Sequence, residues 1–264
     1  MSAGRGSVRR WHTDPRSSFE VDRKGQPVAV EVVTLARAES AVGEVALRRR
    51  GDVVELVVNG VFAMDTVDTS SERTLASAAL ARHPAPERVL VGGLGLGFTT
   101  RTVLADGRVR HVDVVEIAEP LVHWCRDGVV PELAGIAADG RVRLHVGDVA
   151  DVLADAGGVG WDVVLLDVDN GPGFLVCEAN ARLYDTEGLA TAYRRLRAGG
   201  ILAVWSAHRS GGLHAALSAA SGGAAAAEET TTRVERNGHT LDYTVYTLAR
   251  PPERIWPPRG EPVA

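Results

Sequence analysis

Apolar and polar positions change rhythm along this chain. Short β-rich runs come first, at Val28–Val33, Gly43–Leu47 and Val53–Val58, with turn signals at Gly51-Asp52 and Asn59-Gly60. They predict a small antiparallel sheet within residues 19–65. Ser70-Ser71-Glu72-Arg73 opens a helix that runs to His83, where Pro84 and Pro86 stop it. Strand and helix patterns then alternate. Strands are predicted at Val89–Val91, Val112–Ile117, Val142–Val146, Val163–Asp167 and Ile201–Trp205, and helices at Phe98–Leu104, Glu119–Arg126, Val149–Asp155 and Thr186–Leu196. An Ala-rich helix is expected over Leu213–Glu229, interrupted by Gly222-Gly223. Thr232–Leu248 alternates about Asn237-Gly238, a hairpin signal.

This order predicts an α/β fold: a Rossmann-like, doubly wound, mainly parallel sheet with a C-terminal antiparallel hairpin, preceded by a small N-terminal antiparallel β-sheet. Residues 1–18, rich in Gly, Ser and Arg, read as disordered, residues 66–250 as the α/β domain and residues 251–264 as a loose Pro-rich tail.

Composition narrows the function classes. At 45% hydrophobic and 24% charged the chain is ordinary for a globular protein. Its net charge of -5 advertises no nucleic-acid surface. Cys125 and Cys177 cannot build a disulfide framework or a zinc cage, and read as reduced thiols of a cytoplasmic protein. No apolar run reaches the roughly 18 residues of a membrane span, so no membrane partner is expected. Arg9 and Arg10 lack the apolar stretch of a secretory signal behind them. The histidines at 83, 111, 123, 145, 208, 214 and 239 are scattered without metal-ligand spacing, so no metal is expected. Cys125, beside Trp124 on a predicted helix, reads as core, and Arg48-Arg49-Arg50 as a solvated hairpin tip.

The chemistry concentrates at predicted strand ends. Gly92, Gly93, Gly95 and Gly97 follow the first parallel strand, and Glu116, with Ile117 beside it, follows the second about 20 residues later. Glycines let backbone approach a ligand, and an acid at that place accepts hydrogen bonds from ribose hydroxyls. The spacing is G-x-G-x-G, with Thr100 where a dinucleotide fingerprint counted from Gly95 wants its third glycine. Asp148, after the third strand, can accept from an adenine amino group while the Val149 N–H donates to a ring nitrogen; Asp148 can also cap the next helix. Asp167 ends the apolar run Val163–Leu166 and opens Asp167-Val168-Asp169-Asn170-Gly171-Pro172-Gly173, an irregular loop suited to covering a substrate.

From about Val30 to Leu248 these motifs, in this order, resemble the spermidine synthase family of polyamine aminopropyltransferases. Carrying the resemblance are Asn59-Gly60-Val61-Phe62-Ala63-Met64-Asp65, the glycine loop, the acid-ended strand, Val146-Gly147-Asp148, the Asp167 loop and Leu183-Tyr184-Asp185-Thr186-Glu187. The resemblance implies that Glu116 binds ribose, Asp148 binds adenine, and Asp167 orients and deprotonates an attacking amine. It implies a sulfonium nucleoside donor, decarboxylated S-adenosylmethionine or S-adenosylmethionine, a small-molecule amine acceptor and a homodimer. Departures fall on the amine side. Gly95 stands where the family has an Asp that holds the aminopropyl ammonium, Asn170 where it has a second loop Asp, with Asp169 adjacent as a substitute. Ala63 replaces a Gln, Glu72-Arg73 a Tyr-Gln pair, and Leu189 a channel aromatic. Arg73 would pair a carboxylate, which predicts acceptance of S-adenosylmethionine itself. Asp167 with an ordinary carboxylate pKa would be a weak base, acting chiefly by orientation. A small-molecule methyltransferase, a catalytically inactive nucleoside-binding homologue and, third, a nicotinamide-dependent oxidoreductase remain as alternatives.

Overall fold

The computed structural model describes residues 31–252 apart from 156, 159, 170, 174, 176, 237 and 238, together with two short strands, β1 (Phe19–Val21) and β2 (Pro27–Ala29), which pair antiparallel. The residues 1–18 expected to be disordered and all but Pro251 and Pro252 of the tail expected over residues 251–264 lie outside the described residues, as do Asn170 and the Asn237-Gly238 turn. Four strands follow, β3 (Val32–Ser40), β4 (Gly43–Arg50), β5 (Val53–Val58) and β6 (Val61–Asp65), forming an antiparallel sheet in that order. The run Val28–Val33 is therefore not one strand: β2 ends at Ala29 and a nine-residue strand begins at Val32. Its polar Thr34, Arg37 and Glu39 hid it, because an edge strand needs little apolar surface. Asn59 and Gly60 take φ of 51° and 72°, as a tight hairpin turn requires, and Asn59 braces the neighbouring turn by donating to the Val42 carbonyl at 2.6 Å.

The second sheet has seven strands: β7 (Arg88–Gly92), β8 (His111–Glu116), β9 (Val142–Val146), β10 (Trp161–Leu166), β11 (Leu196–Ser206), β12 (Glu228–Arg236) and β13 (His239–Ala249). Their spatial order is β12-β13-β11-β10-β7-β8-β9, with the last five parallel and β12 and β13 antiparallel. The helices are α1 (Ser70–Ala81), α2 (Phe98–Ala105), α3 (Glu119–Asp127), α4 (Val149–Ala154), α5 (Ala181–Tyr184), α6 (Thr186–Arg194) and α7 (Gly211–Ala220). The predicted fold class is the observed one. One helix is shorter than expected: α7 stops at Ala220, and Glu228-Glu229 belong to β12. The alanines after it favour helix, but Gly222 and Gly223 at positive φ turn the chain, and the Ser221 hydroxyl donates toward the Ser218 and Ala225 carbonyls.

Side chains along each parallel strand alternate between two cores. Val89, Val91, Val163 and Leu165 face one, and Leu90, Val164 and Leu166 the other. The first core also takes Val45, Leu47, Val54, Leu56 and Val58 from the N-terminal sheet, with Leu75 and Ala76 of α1. The winding leaves β7 toward β8 and β9 on one side, and toward β10 and β11 on the other. That reversal opens a crevice at the carboxyl ends of β7 and β10.

Tyr246 ties the terminal hairpin to the helical layer. It is fully buried, its hydroxyl accepts from the Ser210 N–H at 2.6 Å and lies 3.2 Å from the Ser210 carbonyl, just before α7. Tyr246→Phe should lower unfolding free energy by about 1–2 kcal/mol, since a buried donor and acceptor lose their partner. Urea titration followed by circular dichroism measures it.

Candidate active site

The crevice is walled by strand ends, by the glycine loop and by the N-terminal sheet. Gly93, Gly95, Glu116, Ile117, Asp148, Val149, Asp167 and Asp169 all line it. Gly92 and Gly97 do not, and they serve the walls instead. A Cβ at Gly92 would lie 2.9 Å from Val149 Cγ2, so its absence lets α4 approach β7.

The glycine loop is fixed by contact as well as by conformation. Gly93 has φ +94°, and a Cβ there would lie 2.1 Å from the Asp167 carbonyl oxygen. The backbones leaving β7 and β10 therefore touch, and no side chain fits between them. Gly95 has φ +50°, and its Cβ would meet the Met64 sulfur at 2.7 Å. Met64, from β6, also stands 3.2 Å from the Leu96 nitrogen, in position to accept its hydrogen. The N-terminal sheet thus lies directly on the loop.

Glu116 holds this arrangement. It is only 7% exposed, and its two carboxylate oxygens accept from the Leu94 and Ala118 amides, each at 2.8 Å. Burial pushes its pKa up, and the backbone donors pull against that shift. Asp148 caps α4 through the Ala150 N–H at 2.8 Å, as its sequence position allowed. Its second oxygen takes Arg182 at 2.6 Å, and the same guanidinium reaches Asp151 at 2.9 Å. Arg182 was not anticipated, because it comes from a helix more than thirty residues later.

Asp167 sits at the end of β10 with its Oδ2 accepting from the Thr99 hydroxyl at 2.6 Å. Burial first, and then the charge of Glu72, raise its pKa to about 7; Glu116 adds to the rise and Thr99 opposes it. The expectation of an ordinary carboxylate pKa is thereby corrected. Burial and the nearby charge of Glu72 are what separate it from an ordinary surface aspartate. Asp169 is 7% exposed, and the Cys177 N–H faces its Oδ1 at 3.4 Å. The neighbouring Asn170 lies outside the described residues.

Arg73 is corrected too. It is exposed, its Nε donates to Thr69 Oγ1 at 3.0 Å, and it does not line the cleft. The inward residue is Glu72. Leu75, Ala76 and Ala79 stand three, four and seven places after it and are fully buried, which puts Glu72 on the inward stripe of α1. That spacing was visible in the sequence. No comparable signal marks Thr99, Met64, Trp205, Cys177 or Asn180, which the tertiary structure also brings to the cleft or to Asp167. Cys125 is buried core, as expected. Among the described residues no helix is long and apolar enough to cross a membrane.

With this geometry in place, comparison with known proteins becomes informative. The model of the spermine/spermidine synthase domain matches residues 69–218, more than half of the chain. The chain belongs to the spermine/spermidine synthase family. Polyamine aminopropyltransferase 2 of Pseudomonas aeruginosa is 30% identical over 174 residues, covering 63% of this chain and 48% of that protein. Polyamine aminopropyltransferase 1 of Hyperthermus butylicus is 30% identical over 156 residues, covering 58% of this chain and 52% of that protein. The chain thus matches about half the length of these relatives. A spermidine synthase solved with the transition-state analogue AdoDATO superposes with a TM-score of 0.69 at 17% identity, covering 87% of this chain and 79% of the other. The spermidine synthase of Thermotoga maritima superposes at 0.67 and 16% identity, covering 87% of this chain and 78% of the other. These two superpositions show the family's fold.

The raised pKa of Asp167 has a consequence for stability. In the unfolded chain its pKa is near ~3.9, and in the folded protein about 7. The folded state binds this proton more tightly, so the contribution of Asp167 to stability is most favourable at low pH and declines as pH rises through that window. Asp167→Asn removes the cost. The variant should melt several degrees above the parent at pH 8, with a smaller gap at pH 5, by differential scanning calorimetry.

Proposed function

We propose that the protein is a group transferase that moves an aminopropyl-type alkyl group from a sulfonium nucleoside to an amine. One observation carries the reading. A carboxylate with a pKa of about 7, Asp167, stands at the carboxyl end of β10 in the same cleft as the Glu116-braced glycine loop. The named relatives, which are polyamine aminopropyltransferases, support the same class.

In this reading Glu116 and the backbone of the glycine loop hold ribose, and Asp148 with the Val149 N–H holds adenine. Arg182 shares Asp148 with the base and fixes the carboxylate's direction. The acceptor nitrogen attacks the carbon beside the sulfonium in line with the departing sulfur. An N–C bond forms, the C–S bond breaks with its electron pair going to sulfur, and a neutral thioether nucleoside leaves. A primary amine with pKa near ~10 is only about one part in a thousand neutral at pH 7. Asp167 therefore matters twice: it takes the proton from the bound amine and holds that amine aligned. Thr99 orients the acceptor oxygen of this base.

Decarboxylated S-adenosylmethionine is the preferred donor. Arg73, the reason to expect the intact compound, bonds Thr69 and does not line the cleft, while Glu72, Asp167 and Asp169 do, a lining that disfavours a ligand carboxylate. Methyl transfer in the same cleft is the second reading, since a sulfonium offers its methyl carbon to the same in-line displacement.

The nucleoside by-product separates the two. With decarboxylated donor and a panel of primary amines, mass spectrometry should find methylthioadenosine; adenosylhomocysteine formed from S-adenosylmethionine would instead establish methyl transfer. Asp167→Asn should keep methylthioadenosine binding within about threefold and lose at least ~100-fold in kcat. Equal kcat in parent and variant would remove Asp167 from the chemistry.

A further inference from the structure

Arg182 comes from the short helix α5 and meets the cleft at its rim, through Asp148. The segment that carries it is anchored at the end of the cleft where Asp148 stands. Asn180, two places earlier, is 6% exposed and lines the cleft, as do Gly147, Asp148 and Val149. Arg182 itself borders an adjoining hollow with Leu153, from α4, and Thr191, from α6. Its side chain is half exposed, which leaves it open to a molecule seated on Asp148.

The bonds around Asp148 leave a particular set of groups open. Its Oδ1 turns back to its own helix and accepts from the Ala150 N–H at 2.8 Å. Its Oδ2 accepts from Arg182 Nη2 at 2.6 Å, and the same nitrogen donates to Asp151 Oδ1 at 2.9 Å. Both hydrogens of Nη2 are thereby engaged. Nη1 and Nε of the same guanidinium make no hydrogen bond among the described residues. An ionised carboxylate oxygen has two lone pairs, so Oδ2 has room for one more donor. What stands open is one acceptor and, next to it, donors that carry positive charge.

Those groups match one edge of a purine. A 6-aminopurine presents its amino group as a donor and N7, beside it, as an acceptor. Two donors on one carboxylate oxygen, each at about 2.8 Å, stand about 4–5 Å from one another. An amino group on Asp148 Oδ2 therefore lies next to the guanidinium. In the reading above, the Val149 N–H takes the ring nitrogen on the other side of that amino group. N7 then falls on the side of Arg182, within reach of Nη1 or Nε. Arginine suits the task because its donors lie in a rigid plane and keep their charge at every pH of interest.

We propose that Arg182 reads the base directly, donating a hydrogen bond to N7 while Asp148 accepts from the 6-amino group. The inference rests on the sulfonium-nucleoside reading and adds to it a contact that neither Asp148 nor Val149 makes. Asp151 holds the guanidinium in place for it by taking the second Nη2 hydrogen. A guanidinium that only braced Asp148 would act on the amino group alone and would be indifferent to N7. The two roles therefore separate by chemistry on the base.

Isothermal titration calorimetry with two nucleosides makes the separation. One is methylthioadenosine, and the other is its 7-deaza analogue, in which a C–H replaces N7. The parent protein should bind the analogue about tenfold more weakly, since a charged donor loses its acceptor and meets a C–H instead. Arg182→Ala should bind methylthioadenosine about tenfold more weakly than the parent does. The variant should bind the two nucleosides within about twofold of each other, because the two losses are of one contact and do not add. An exposed ion pair contributes little to folding, so the variant should keep the parent's melting temperature by differential scanning calorimetry.

Equal affinity of the parent for the two nucleosides would overturn the contact, and that comparison needs no variant. An undiminished preference for methylthioadenosine in Arg182→Ala would overturn it as well. Either result leaves the nucleoside reading intact. Failure of methylthioadenosine to bind the parent protein would overturn the nucleoside reading and the contact together.

Discussion

The close meeting of two strand ends governs this molecule. Gly93 lies against the Asp167 carbonyl so closely that a single Cβ would stand 2.1 Å from that oxygen. Glu116 secures the meeting from the side, taking the amides of Leu94 and Ala118 on its two oxygens. Hydrogen bonds to a charged group contribute roughly 1.5–3 kcal/mol each, enough to hold a glycine loop in a backbone conformation it would otherwise lose to entropy. The acid at the end of β8 thereby organises the loop that lines the cleft.

The N-terminal sheet supplies one wall of the cleft, through Leu56, Val58, Ala63 and Met64. Its inward face shares one core with α1 and with Val91 and Val163 of the parallel sheet. Met64 reaches from it onto Gly95 and the Leu96 nitrogen. Burial and then the charge of Glu72 raise the Asp167 pKa to about 7. The same burial costs stability above that pH. A site that keeps acids together in a low dielectric stores unfavourable energy.

Charge, in this family member, is carried by an unfamiliar element. The loop position Gly95 is bare, while α1 supplies Glu72 to the cleft and turns Arg73 to solvent. One place along a helix rotates a side chain by about 100°, so exchanging which of two neighbours faces inward reverses the sign of the site. Which of the two lines the cleft is set by that rotation, and neither residue alone announces it.

The periodicities and the turn glycines were enough to read the parallel strands, their order of appearance, the terminal hairpin and the acids at strand ends, because those features are local. Glu116, Asp148 and Asp167 stand in the cleft where that reading put them. The edge strand Val32–Ser40 escaped it, since from Thr34 onward its exposed positions are polar, and the alanines after Ser221 misled it, since local propensity cannot see the strand that recruits Glu228 and Glu229. By itself, then, the sequence determined the alternation of elements and which strand ends carry acids, through side-chain spacing that acts over a few residues. Only the tertiary structure decided that Glu72 faces the cleft rather than Arg73, that Arg182 reaches Asp148, and that Asp167 titrates near 7. Those outcomes depend on burial and on charges brought together from distant parts of the chain, and neither exists until the two sheets close on one another.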